Sequence, residues 1–243
     1  MKFDTIIKRI SGWLTIALVF LASAAVYMSA KGFGIDEKGN VILINQAKAQ
    51  PQQSLAQPLD KRVVVNISNP HFWGDENAPI TIYEYSSFGC SHCADFHLST
   101  LKKLDDEFIK TGKVKIVLVP FPIERKSMQG AMVAACIPNS EYHNFVNTMF
   151  NKQREWGLSH RSEELIAGYA AAYGVSKETA LECMKNDSIA SEILANRQQG
   201  IEELHIQGTP AFLVDDGKTQ EMISGAPSYS EMKAYLTSKV SDK

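Results

Sequence analysis

Apolar and polar positions change their period several times along the chain. Trp13 to Ala30 is an unbroken uncharged run of 18 mostly apolar residues. Ile80-Thr81-Ile82-Tyr83-Glu84-Tyr85 is rich in β-branched and aromatic residues and predicts a strand, as does Val63-Val64-Val65 upstream. The longer run leads through Ser86-Ser87-Phe88-Gly89 into a helical pattern. There Leu101, Leu104 and Phe108 recur at spacings of three and four, and Gly112 closes the helix. Val114 to Val119 then reads as a strand buried on both faces, which completes a βαβ unit with a parallel strand pair.

Between about residues 126 and 205 the period is helical throughout. Met128 and Met132 lead to Cys136, Tyr142 and Phe145 to Met149, Leu165 and Ile166 to Tyr169 and Tyr173, and Ile189 and Ile193 to Ile201 and Leu204. Pro138, Gly157, Gly174 and Asp187-Ser188 divide this stretch into four or five helices. The β signal returns at Ala211-Phe212-Leu213-Val214, turns at Asp215-Asp216-Gly217, and continues as Glu221-Met222-Ile223-Ser224 before a last helix capped by Ser228. The expected fold is α/β, with an all-helical insert at about 126–205 dividing the core.

Composition narrows the function classes. The 243 residues carry 25 Lys+Arg against 27 Asp+Glu, a net charge of −2, so there is no basic field to neutralise phosphates and nucleic acid is not an expected partner. Asn45 to Leu59 reads NQAKAQPQQSLAQPL, a linker composition without aromatics. Residues 31–60 are therefore read as a linker, and the folded domain as residues 61–243. Lys2, Lys8 and Arg9 precede the apolar run at 13–30, whose basic flank keeps the N-terminus in the cytoplasm and sends the rest across the membrane. Residues 1–30 are read as a signal peptide or an inner-membrane anchor, and the folded part as periplasmic or otherwise extracytoplasmic. Small-residue cleavage candidates at Ala22-Ser23-Ala24 and Ala47-Lys48-Ala49 leave both forms open.

The four cysteines fall into two kinds. Cys90-Ser91-His92-Cys93 sits where a strand ends and a helix begins. At a helix N-terminus, unpaired backbone N–H groups and the helix dipole favour a thiolate, and His92 can add charge or a hydrogen bond. A stabilised thiolate stabilises the reduced pair and makes its disulfide a good oxidant. Half of a zinc site and a purely structural short bridge are the alternatives. The first lacks a second C-x-x-C or a spaced His pair, so no metal is expected. Cys136 and Cys183 lie far apart in the insert, where a disulfide closing a loop of about 48 residues would contribute roughly 4 kcal/mol. A structural staple is the favoured reading there, with a second redox centre or free thiols as alternatives.

The stretch Tyr83-Glu84-Tyr85-Ser86-Ser87-Phe88-Gly89-Cys90-Ser91-His92-Cys93, followed by Gly208-Thr209-Pro210-Ala211-Phe212, resembles the thioredoxin-fold thiol:disulfide oxidoreductases of the DsbA family. Gly74-Asp75-Glu76-Asn77-Ala78-Pro79 and Gly225-Ala226-Pro227 extend the resemblance over about residues 70–240. It implies a thioredoxin-like core and an enzyme in which Cys90 is the nucleophile, Cys93 its buried partner and His92 the tuning residue. It further implies a cis Pro210 facing the disulfide, with Thr209 offering backbone groups to a bound peptide; a trans proline at a strand start is the alternative. Glu84 matches a buried acid under the active site, with a role in moving the Cys93 proton, unless it lies on an edge or solvent-facing strand.

The resemblance implies no cofactor. It implies reduced unfolded or exported proteins as substrates and a membrane quinone-linked partner for reoxidation. The dipeptide is Ser-His, and Thr209 also occurs in isomerases of this fold, so disulfide isomerase or reductase is the first alternative to oxidase. A non-catalytic cell-envelope binding protein is the second.

Overall fold

A computed structural model describes residues 55–68 and 70–241, together with two short strands, β1 (Phe33–Ile35) and β2 (Val41–Leu43). These two pair antiparallel with each other, Gly34 opposite Ile42. They lie in a unit separate from the one that begins at Leu55. The apolar run at 13–30 lies outside the described residues. Among the described residues no helix is long and apolar enough to cross a membrane.

The second unit is built on a six-stranded sheet. Its strands are β3 (Gln57–Pro58), β4 (Phe72–Trp73), β5 (Ile80–Ser86), β6 (Val114–Pro120), β7 (Ala211–Asp215) and β8 (Gln220–Ser224), in the spatial order β3-β8-β7-β5-β6-β4. β5 runs parallel to β6, with Glu84 opposite Leu118, and antiparallel to β7, with Glu84 opposite Phe212. A continuous helix over 91–109, α1, wound partly in wider π turns, connects β5 to β6. Gly112, at φ 70°, makes the left-handed turn out of it. Alternation along β5 sends Ile80 and Ile82 to one face, where they pack with Phe96, Leu104 and Phe108 of α1. Met232 and Leu236 of the last helix complete that cluster. Tyr85 points to the opposite face and packs with Val63, Phe121 and Ile206.

The helices between β6 and β7 are α2 (Arg125–Ala134), α3 (Asn139–Asn151), α4 (Gln153–Leu158), α5 (Ser162–Ala170), α6 (Lys177–Cys183) and α7 (Asp187–Glu202). Six replace the four or five expected, because α4 and α6 are too short for a period to register and Gly157 sits inside α4 rather than between helices. Around Phe145, Met149, Trp156 and Ile166 they form a core of their own, which also buries Cys90, Cys93 and Leu118. A disulfide between Cys136, in the turn after α2, and Cys183, at the end of α6, ties the insert together. The last helix, α8 (Tyr229–Ser241), opens on a reciprocal cap. Ser228 N–H donates to Glu231 Oε2 at 2.8 Å, and Glu231 N–H donates to Ser228 Oγ at 3.3 Å.

Two expectations require correction. The linker reading of 31–60 gives way at both ends, since β1 and β2 fall inside it and the second unit starts at Leu55. Ala56 is buried beside Ile80 and Val214, and Gln57 and Pro58 add an edge strand to β8, a position where proline's missing N–H is tolerated. Val63-Val64-Val65 is not a strand. Val63 is buried but Val64 is exposed, and the segment pairs with a side chain instead of a ladder. The buried Gln220 amide accepts from Val63 N–H at 2.7 Å and donates to Val63 O at 2.9 Å. Arg62 grips Asp215 with two contacts, at 2.7 and 3.0 Å.

Candidate active site at the start of the first helix

Cys90 is the N-cap of α1, in extended conformation at φ −88° and ψ 121°. The first turn of a helix leaves its N–H groups without intrahelical partners, and those of His92 and Cys93 favour a thiolate at Cys90. The thiol is drawn down from its ordinary value near 9 to about 5. The Cys93 thiol, as hydrogen-bond donor to the thiolate, is the largest cause; the Thr209 hydroxyl and the backbone N–H groups of Cys93 and His92 add to it, against the opposing effect of burial. Position 92 contributes its backbone N–H, and its imidazole is exposed beside the motif.

Cys93 is fully buried, one helical turn below Cys90, which retains 9% exposure. Burial, with Cys90 as the next cause, drives the Cys93 thiol far upward. The two sulfurs of one motif are thus pushed in opposite directions, the near-surface one toward thiolate and the buried one toward thiol.

The Thr209-Pro210 peptide bond is cis, and the Thr209 carbonyl accepts from the Cys90 thiol at 3.2 Å. That contact brings together residues 119 positions apart in sequence. A groove of 1080 Å³ extends from Thr209 and Pro210 past His205 to Arg62 and Pro58.

Glu84 is fully buried on the central strand, so the edge-strand alternative falls away. Among the described residues neither of its carboxyl oxygens has a hydrogen-bond partner. Burial raises its pKa to about 7, and the nearby Ser86 hydroxyl opposes this without reaching hydrogen-bond geometry.

Several contributors escape the sequence pattern. Gln153, at the start of α4, donates to Phe88 O at 2.6 Å and to Cys90 O at 2.9 Å, fastening the active-site loop to the insert. Gly89 allows Glu124, the N-cap of α2, to approach, since a Cβ at position 89 would stand 2.7 Å from Glu124 Oε1. Neither signal exists in sequence, because each pairing spans tens of residues. His71 stacks on Tyr142, His143 stacks on Trp73, and the buried His97 meets Trp73 edge-on. Desolvation pulls His71 and His97 each down to about 4 and also lowers His143.

A family model described as Thioredoxin matches residues 66–238. The chain belongs to the thioredoxin family. Within it, the chain is 25% identical over 189 residues to a provisionally named protein-disulfide oxidoreductase of Rickettsia typhi, covering 74% of this chain and 70% of that protein. The match spans 64% of a Rickettsia felis relative and 54% of a Rickettsia prowazekii one. Disulfide bond formation protein D of Bacillus subtilis is 24% identical over 176 residues, covering 70% of this chain and 77% of that one. Among solved structures, alpha-DsbA1 of Wolbachia pipientis superposes with a TM-score of 0.67 at 25% identity, covering 74% of this chain and 94% of that one. Oxidised BdbD of Bacillus subtilis has a TM-score of 0.65 at 20% identity, covers 76% of this chain and 99% of its own, and shares the fold. The DsbA resemblance and the thioredoxin-like fold expected from the motifs are borne out. The relatives' names agree with the enzyme class those motifs implied, thiol:disulfide oxidoreductase.

Proposed function

We propose that this thioredoxin-family protein is an extracytoplasmic thiol:disulfide oxidase that passes its Cys90–Cys93 disulfide to cysteines of exported proteins. The observation that carries the reading is the opposed displacement of the two thiols, Cys90 down to about 5 and Cys93 upward. A dithiol whose outer sulfur rests as a thiolate is stabilised in its reduced form, and its disulfide is correspondingly oxidising.

A substrate thiolate attacks Cys90 Sγ, forming a mixed disulfide and breaking the bond to Cys93. The Cys93 sulfur keeps the bond's electron pair and takes up a proton, for which the buried Glu84 carboxyl is the source. A second substrate thiolate then attacks the substrate sulfur of the mixed disulfide and releases Cys90 as thiolate. Two electrons have moved from two substrate thiols to the Cys90–Cys93 pair. The low pKa of Cys90 makes it a good leaving group in that last step. The Thr209 main chain, beside Cys90, is suited to hold an extended substrate segment in the groove leading away from it. The apolar run at 13–30 supports export, and a membrane quinone-linked protein is the partner proposed for reoxidation.

The test is the reduction potential of the pair together with a comparison of two assays, oxidation of a reduced dithiol peptide and refolding of a scrambled multi-disulfide protein. A couple more oxidising than about −180 mV with fast peptide oxidation supports the oxidase. A couple near −270 mV, or rescue of the scrambled protein with little peptide oxidation, overturns it in favour of a reductase or an isomerase.

A further inference from the structure

Cys93 has no exposure, so the proton its sulfur takes up when the disulfide opens has to be delivered within the protein. Among the described residues neither Glu84 carboxyl oxygen has a hydrogen-bond partner. Ser86 is close enough to act on both Glu84 and Cys93. It lies two residues after Glu84 on β5, so both side chains leave the same face of the sheet, the face covered by α1, which carries Cys93. The Ser86 hydroxyl is itself buried with no hydrogen-bond partner among the described residues, an uncommon state for such a group. Its backbone is pinned by Phe121 N–H, which donates to Ser86 O at 2.7 Å. A cavity of 10 Å³, about the space of one water, adjoins Ser86 and is otherwise bounded by residues such as Leu118, Phe121 and Ser127.

We infer that Ser86 is a proton-relay residue, whose hydroxyl carries a proton from the Glu84 carboxyl to the Cys93 sulfur as the substrate opens the disulfide. This rests on the oxidase reading above and on Glu84 as its proton source. A hydroxyl both donates and accepts, which a relay requires and which neither a carboxylate nor a thiolate offers alone. As the substrate thiolate forms its bond to Cys90 Sγ, the Cys90–Cys93 bond breaks and its electron pair goes to Cys93. The Ser86 O–H proton moves to that sulfur while the Glu84 proton replaces it on Ser86. The products are a mixed disulfide, a Cys93 thiol, an unchanged Ser86 hydroxyl and a Glu84 carboxylate. No outside oxidant or reductant enters the step.

The electrostatics agree with this placement. The Ser86 hydroxyl acts on both ends of the path, favouring the charged form of Glu84 and that of Cys93. Because burial raises the Cys93 pKa, an unprotonated Cys93 thiolate is a poor leaving group, and proton delivery bears on the rate. Tyr142 from α3 lies close enough to feel the Glu84 charge, and the apolar Leu118 and Phe212 stand opposite Glu84 on β6 and β7.

The experiment follows oxidation of a reduced dithiol peptide by the full chain from pH 5 to 9, in water and in deuterium oxide. It compares the parent with Ser86→Ala, Ser86→Thr, Glu84→Gln and the Glu84→Gln, Ser86→Ala double variant. Ser86→Ala should slow transfer by about tenfold or more, remove the solvent isotope effect and flatten the pH profile. Ser86→Thr, which keeps a hydroxyl, should stay within a few-fold of the parent, and the double variant should be no slower than Glu84→Gln alone. Parental rates in Ser86→Ala with a slow Glu84→Gln would overturn the relay and leave Glu84 as proton source. Parental rates in Glu84→Gln would overturn that reading as well. A Ser86→Thr variant as slow as Ser86→Ala, or additive losses in the double variant, would also overturn the relay.

Discussion

The sharpest consequence of the site geometry is a pH dependence of the Cys90–Cys93 couple. Reduction of a disulfide consumes two electrons and, where both thiols are protonated, two protons, so the potential falls by about 59 mV per pH unit. With Cys90 titrating near 5 and Cys93 remaining a thiol, only one proton is consumed above pH 5, and the slope halves to about 30 mV per unit. At pH 7 a thiol titrating near 5 rather than near 9 stabilises the reduced form by about 2.7 kcal/mol. At about 1.4 kcal/mol for each 30 mV of a two-electron couple, that makes the disulfide about 60 mV more oxidising. The sign follows from which state carries the thiolate. Only the reduced protein does, so the gain is absent below pH 5, grows as pH rises past it, and levels off above 9.

The measurement is equilibration with glutathione buffers from pH 4 to 9, with trapping of free thiols and quantification of the oxidised fraction. A break in slope near pH 5 is expected. Thr209→Val, which deletes the hydroxyl but keeps the main chain, should move that break upward. A slope that stays near 59 mV per unit through pH 7.5 would show that Cys90 is an ordinary thiol at neutral pH, and the helix-terminus account would be refuted.

Replacing both Cys136 and Cys183 by Ser frees a loop of 47 residues and should cost about 4 kcal/mol in denaturant unfolding while redox activity persists; a loss below about 1 kcal/mol would count against the staple. Gln153→Ala strips a donor from both Phe88 O and Cys90 O and should cost about 1–2 kcal/mol and slow peptide oxidation, read by urea titration and initial rates. His97, held near 4 when folded against 6.5 when free, favours its neutral form in the folded state. Its stabilising contribution, about 3 kcal/mol, is therefore complete above pH 6.5 and lost as pH falls from 6.5 to 4. His97→Phe should flatten the fall of Tm over that interval, and an unchanged profile would place the acid sensitivity elsewhere.

What the sequence determined by itself was local or composed of residues close together in the chain. The alternation in Ile80–Tyr85, the three- and four-residue spacing in α1 and the apolar run of β6 specify a βαβ unit, because each buries a face whose period is written into a short segment. Cys90 at a helix start follows from the same juncture, and with it the direction of its acidity. For Glu84 the resemblance implies a buried acid under the active site, but the sequence leaves an edge or solvent-facing position open. That it is buried at the centre of the sheet was decided by the order of six strands.

Tertiary structure realises the long-range part of the site, of which only Thr209 and Pro210 are implied by the resemblance. Thr209 meets Cys90 because β7 returns beside β5, and Gln153 reaches the active-site loop because the insert folds back over it. Chain entropy favours a Cys136–Cys183 bridge but leaves alternatives open, and packing of α2 against α6 brings the two sulfurs together. Val63 shows the converse. Its β-branched neighbours read as a strand, but a strand needs a partner edge, and this edge is met by the Gln220 side chain instead. Local preference sets what a segment can become, and the long-range hydrogen bonds and burial available to it select among those outcomes.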